Sequence, residues 1–318
     1  MGAIAGSSIL ECKQTLNLDT VTLTINNSCN LVCPHCYLQY QPERSDSFDS
    51  QIFSILSRSS FRHLAIVGKE PLFNTNSIDL CLRLSDLCFS TGKTISLISN
   101  GINFALAPSN FVNKFSFIDI SLDGGPQTYK SYRKASTFKL VNNLRAIASL
   151  GARMNALHVL NSKTIDHLDD MLDVRNWAPF DRVIFSPYLE TQNHGHNLVG
   201  GLNLTSLLRR LASSRFSQVE GAILLLHDQH IEAGSLTHVE FNQLTSELNL
   251  NHRVHLISGD PLEYGILRVT YDGLVLTPYA ALHPKKYASE RSFTVADLGY
   301  KTLNDAFLNM APSPKTLQ

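Results

Sequence analysis

Three cysteines, Cys29, Cys33 and Cys36, stand in the stretch SCNLVCPHCYLQY, close enough together to share one ligand. Thiolates are soft ligands suited to zinc, copper(I) or iron–sulfur clusters. A structural zinc ion needs four ligands, and His35, adjacent to Cys36, cannot easily bend back to supply the fourth. A disulfide needs only two. A cubane of four irons can be held by three cysteines, which leaves one iron open to a small molecule carrying an amine and a carboxylate. The remaining cysteines offer no obvious fourth thiol. Cys12 has no evident partner, and Cys81 and Cys88 share a helical spacing with Ile78, Leu84 and Leu87 that makes them core residues. Six cysteines in 318 residues, none after Cys88, do not form a disulfide framework.

The elements that must position these thiols follow a simple rhythm. Short apolar runs at 21–25, 63–67, 95–99, 117–121, 154–160 and 182–186 predict strands. Helical patterns fall between them near 49–58, 77–91, 138–149 and 165–177, with a weaker one near 106–113. Strand followed by helix, repeated about six times, argues for an α/β fold with a parallel sheet and helices outside. In such sheets the ligand sits beyond the carboxyl ends of the strands. Those ends carry NNSCN, GKEP, NG, LDGG and PYLE, so the functional edge is the polar and glycine-rich one.

After residue 190 the rhythm breaks. TQNHGHNLVGGLN reads as a loop, followed by a helix near 205–215 and a strand at 222–226. GILRVTYDGLVLTPY predicts a hairpin turning at Asp272 and Gly273, and LNDAFLNM a short helix. The expected organisation is a lead-in at 1–19, a main domain at 20–226 and a small α+β appendage at 227–318.

Composition narrows the function. Twenty-seven basic and 27 acidic residues cancel, so charge gives no reason to expect nucleic acid or an anionic membrane surface as partner. No stretch is long and apolar enough to span a bilayer, and the start lacks the features of a signal peptide, which makes the cytoplasm the expected location.

The cysteine stretch and its surroundings together resemble the radical S-adenosylmethionine (radical SAM) enzymes. CNLVCPHC fits that superfamily's Cys-x3-Cys-x2-Cys signature and follows the first strand. VGKEP (67–71) resembles its Gly-Gly-Glu-Pro motif, ISNG (98–101) and ISLDGG (120–125) resemble further cofactor-contacting segments, and YKSYRKASTFKLVNNL resembles its arginine before the next helix. The likeness covers about residues 20–190 and implies a partial (β/α)6 TIM-like barrel. It implies that Cys29, Cys33 and Cys36 ligate three irons of a [4Fe–4S] cluster, and that S-adenosylmethionine meets His35, Gly68, Lys69, Glu70, Ser99, Asn100, Ser121, Asp123 and Arg133. Of these, His35 would meet the adenine, Glu70 the ammonium group and Arg133 the carboxylate. Lys69 departs from the motif's second glycine, so its loop must adopt a backbone that a side chain tolerates.

The implied chemistry is reductive: an electron from a flavodoxin- or ferredoxin-type donor splits S-adenosylmethionine, and the resulting 5′-deoxyadenosyl radical takes a hydrogen atom from a C–H bond. The hairpin resembles the C-terminal segment of Twitch or SPASM type, but Pro278 and Tyr279 stand where proline and cysteine would lead into an auxiliary cluster. The lead-in is too short for a leader-peptide-binding domain. Substrate-side candidates are Tyr188, Glu190, His194 and His196. The expected substrate is a peptide or an amino-acid-derived metabolite. A redox-neutral reaction on a sugar- or nucleotide-like metabolite, and a non-catalytic protein whose thiols hold zinc, are the alternatives.

Overall fold

The fold is taken from a computed structural model, which describes residues 17–33, 36, 48–188, 203–234, 236–257, 264–278, 293–294, 298 and 301–310. One sheet organises the chain. Its strands are β1 (Thr20–Thr24), β2 (His63–Val67), β3 (Thr94–Ser99), β4 (Phe117–Ser121), β5 (Met154–Leu160), β6 (Arg182–Pro187), β7 (Ala222–His227), β8 (Val254–Ile257), β9 (Ile266–Val269), β10 (Leu274–Leu276) and β11 (Phe293–Thr294). β1 to β8 lie side by side in chain order, each parallel to the next, and the sheet is not closed into a barrel.

The helices are α1 (Phe48–Arg58), α2 (Thr75–Ser90), α3 (Tyr129–Arg133), α4 (Thr137–Ser149), α5 (Leu168–Leu172), α6 (Leu204–Ser213), α7 (Asp228–Ala233), α8 (His238–Glu247) and α9 (Leu303–Met310). Alternation within the strands sets the layers. Leu64, Ile66, Leu97, Ile118 and Ile120 are fully buried on one face and join the core with Ile52, Ile55, Cys81, Leu84 and Leu144 from α1, α2 and α4. The second face is half-buried and more polar, with Thr22, Asp119, Ser121 and Asn155. Helix starts match local chemistry: Asn74 accepts from the Ser77 N–H ahead of α2, and Ser136 from the Lys139 N–H ahead of α4.

The six expected strands are present, and the parallel order runs on for two more. The boundary expected at residue 227 falls at the end of β7, and the chain beyond it stays within the same sheet. β8 extends the sheet from β7, whereas the hairpin of β9 and β10 is sewn to the opposite edge, with β9 parallel to β1. The region near 165–177 is a short α5 between single tight turns at Ile165–His167 and Asp173–Asn176. The weaker helix near 106–113 is instead two three-residue turns, at Phe104–Leu106 and Val112–Lys114. No helix among the described residues is long and apolar enough to cross a membrane.

Candidate functional site

The C-terminal ends of β2 and β3 are tied together by one carboxylate. Glu70 is fully buried after β2. Its Oε1 accepts from the Leu72 N–H (2.9 Å) and the Ser99 hydroxyl (2.8 Å), and its Oε2 from the Asn100 N–H (2.7 Å). Burial pushes the carboxyl's pKa up, against the pull of those donors and of Arg133. The carboxylate's strongest links thus join the ends of β2 and β3.

β1 is bound in from the other side. Asn26 Nδ2 donates to the Glu70 carbonyl (2.5 Å), and Asn100 Nδ2 donates to Asn30 Oδ1 (2.8 Å). Gly68 allows this approach, since a Cβ there would lie 2.7 Å from Asn26 Oδ1. Lys69 is half-buried, and its φ is not positive, so the loop has a backbone open to a side chain. Gly101 has φ +81°, and a Cβ on it would meet Leu140 Cδ1 at 2.6 Å.

The fourth strand end supplies charge. Asp123 sits at φ 53° and accepts from the Val159 N–H (2.7 Å), while its Oδ2 pairs with Arg133 Nη2 (2.5 Å). Arg133 Nη1 lies 3.4 Å from Cys33 Sγ. A buried guanidinium thus bridges a carboxylate and the second cysteine. Asp170, from α5, anchors this loop: it accepts from the N–H groups of Gly125, Gln127 and Thr128 and from the Thr128 hydroxyl. A Cβ on Gly125 would overlap the Asp170 backbone at 1.7 Å, which makes glycine obligatory there.

Cys29 and Cys36 are partly exposed and Cys33 is buried. Cys29 Sγ accepts from the Leu31 N–H (3.3 Å) and faces Asn100 Nδ2 (3.8 Å). Burial pushes the Cys29 thiol up to about 11 and raises Cys33 as well, with Arg133 pulling Cys33 back. Among the described residues no three His, Cys, Asp or Glu side chains converge closely enough to hold a metal ion. The donor chemistry nevertheless fits a thiolate-held cluster: three thiols lie beyond one strand end, N–H groups face one sulfur, a guanidinium faces another, and Arg133 Nε is buried with no partner among the described residues.

Of the expected site residues, Cys29, Glu70, Ser99 and Asn100 are linked by these contacts in one group, and Cys33, Asp123 and Arg133 in a second. Ser121 ends β4 half-buried and stands outside the network. Tyr188 is buried after β6, with its N–H donating to the Leu160 carbonyl (2.7 Å). His35, Glu190, His194, His196 and Cys12 lie outside the described residues. Asn26 and Asp170 were missed by sequence reasoning. Asn26, in the polar NNSCN run, was open to notice; Asp170 had no local signal. Also unforeseen is His230, whose ring accepts from the His227 N–H (2.9 Å) and contacts the Pro187 carbonyl (2.9 Å), tying the end of β7 to β6.

No family model matches the sequence. No curated protein matches it either. Solved structures do match in shape. Streptococcus suis SuiB bound to S-adenosylmethionine superposes with a TM-score of 0.67 at 15% identity, covering 94% of this chain and 66% of SuiB. SuiB bound to its precursor peptide SuiA gives 0.64 at 14% identity, covering 94% and 65%. Native anSMEcpe with bound AdoMet gives 0.58 at 16% identity, covering 91% and 82%. The chain therefore spans about two thirds of the length of SuiB. These neighbours are radical SAM enzymes, and the open α/β sheet has their fold.

Proposed function

We propose that this chain is a radical SAM enzyme acting in the cytoplasm on a peptide or an amino-acid-derived substrate. The observation that carries the reading is the contact of Arg133 with Cys33, set beside the Glu70 knot that fixes the ends of β2 and β3. Cys29, Cys33 and Cys36 would hold a [4Fe–4S] cluster. Together with S-adenosylmethionine it would supply a carbon-centred radical able to take a hydrogen atom from a C–H bond.

The chain's own residues prepare that site. Glu70 holds the backbone at Leu72 and Asn100 in place, so the polar groups beyond β2 and β3 are set before any ligand arrives. Arg133 pairs with the Asp123 carboxylate and faces Cys33, and its guanidinium would suit the carboxylate of S-adenosylmethionine beside them. Gly68 and Lys69 would present backbone to the methionine amine, with Ser121 near the ribose and His35 near the adenine. Tyr188 and Glu190 remain the substrate-side candidates. Electrons would come from a flavodoxin- or ferredoxin-type donor.

A peptide substrate is supported by two neighbours, SuiB bound to a precursor peptide and anSMEcpe with bound AdoMet and a peptide. The test is anaerobic reconstitution with iron and sulfide. Dithionite-reduced protein should convert S-adenosylmethionine to 5′-deoxyadenosine, and Cys33→Ala should not. Stoichiometric zinc and no cleavage would leave the non-catalytic alternative standing instead.

A further inference from the structure

A tyrosine on the helix that carries Arg133 has a hydroxyl with no evident structural task. Tyr129 is fully buried, and its Oη has no hydrogen-bond partner among the described residues. A buried hydroxyl left unpaired is destabilising, so phenylalanine would fill the same space at less cost. Tyr129 opens α3 and Arg133 closes it. Four residues apart on a helix, they share one face, and Arg133 shows where that face is directed: to Cys33 and Asp123. The charged groups that act on the Tyr129 hydroxyl are Arg133, Cys33, Asp123 and Glu70, all members of the rim described above.

The phenol is also held still. Its ring meets Trp177 edge-on, with centroids 5.7 Å apart. Its N–H donates to the Gly125 carbonyl (2.9 Å), and Gly124 packs so tightly on it that a Cβ there would lie 2.7 Å from the Tyr129 nitrogen. Burial raises the hydroxyl's pKa further, so at neutral pH it is a donor. Arg133 Nε, one turn along, is another buried donor without a partner among the described residues. Two idle donors on one face of one helix, beside a cysteine ligand, describe a place for an acceptor.

We propose that Tyr129 is a positioning residue whose hydroxyl donates a hydrogen bond to an anionic acceptor arriving with the cofactors: the Cys33 thiolate sulfur once it ligates the cluster, or the carboxylate of S-adenosylmethionine. This rests on the radical SAM reading above.

The test is Tyr129→Phe beside the natural chain, both reconstituted anaerobically. If the acceptor is the sulfur, the cluster's midpoint potential without S-adenosylmethionine becomes more negative, since a hydrogen bond to a ligand sulfur is lost. If the acceptor is the carboxylate, the potential stays and the dissociation constant for S-adenosylmethionine, read from the cluster's EPR change, rises roughly tenfold or more. Either result supports the proposal. A loaded Tyr129→Phe protein with both quantities unchanged overturns it. So does an apo Tyr129→Phe protein that melts clearly below the natural apo chain, because the hydroxyl would then have a structural partner. A natural chain that takes up no cluster overturns the radical SAM reading itself, which is a separate outcome.

Discussion

The rim above β1 to β4 and the rim above β5 to β7 are built on different terms. In the first, side chains bind strand end to strand end: Asn26 to Glu70, Glu70 to Ser99 and Asn100, Asn100 to Asn30, Asp123 to Arg133, and Arg133 to Cys33. In the second, the ties seen among the described residues lead to backbone. His230 joins the Pro187 carbonyl to the His227 N–H, and the Tyr188 N–H meets the Leu160 carbonyl. A cofactor that is the same in every turnover rewards a rigid, pre-ordered half. A substrate that differs between enzymes needs a half in which side chains can change without unravelling a network. Under the proposed function, the cofactors would sit over β1 to β4 and the substrate would take the rest of the mouth.

The largest break in this contrast should come from Cys33→Ala, which removes a proposed cluster ligand and one of the two partners of Arg133. Iron and sulfide content after reconstitution should fall to background while the apo fold, followed by circular dichroism, remains. Retention of a full cluster would contradict the ligand assignment. Next is Glu70→Ala, which strands three donors whose acceptor is gone. At about 1–3 kcal/mol for each buried donor left unmade, it should cost roughly 3 kcal/mol or more in urea unfolding. Glu70→Gln should cost less, because shape and one acceptor survive. A comparably drastic truncation on the other rim, His230→Ala, should cost less than Glu70→Ala, and equal losses would erase the contrast.

Gly101→Ala tests the cofactor half through its backbone. It forces a side chain onto φ +81° and within 2.6 Å of Leu140 Cδ1, and should lower stability by about 1–3 kcal/mol. The smallest effect should come from His158→Phe, on the β5 side. His158 is buried and stacked on Phe185, with neither ring nitrogen paired among the described residues. Burial holds its pKa at about 4, below the ordinary 6.5. The unfolded chain therefore binds the proton more readily. Stability is complete above about 6.5 and is lost as pH falls toward 4, by up to about 3 kcal/mol. His158→Phe should leave stability at pH 7 unchanged or slightly raised, and flatten the acid slope seen in denaturant melts between pH 6.5 and 4.5.

The first half of the molecule was also the more legible in sequence. Its strands read as short apolar-rich alternations, and the three thiols fall in one short stretch whose resemblance to a known signature carried the chemistry. The parallel order and the polar strand ends followed from the same runs. What stayed hidden depended on pairing across distance. The β9–β10 hairpin announces its turn at Asp272 and Gly273, but nothing local says that β9 joins β1 and not β8. β8 is four residues long, too short for its alternation to stand out. Asp170 looks like any surface acid at the start of a helix until the fold brings it onto Gly125 and Thr128. Glu70 was expected to face the ammonium group of S-adenosylmethionine, and its carboxylate is found already holding three protein donors.

The central claim is an iron left open by a three-cysteine loop. Mössbauer spectroscopy of the natural chain loaded with iron-57 tests it most directly. One iron of the cluster should differ from the other three, and its isomer shift alone should move when S-adenosylmethionine is added. A cluster whose irons are all insensitive to S-adenosylmethionine, or a chain that binds no cluster, would contradict it.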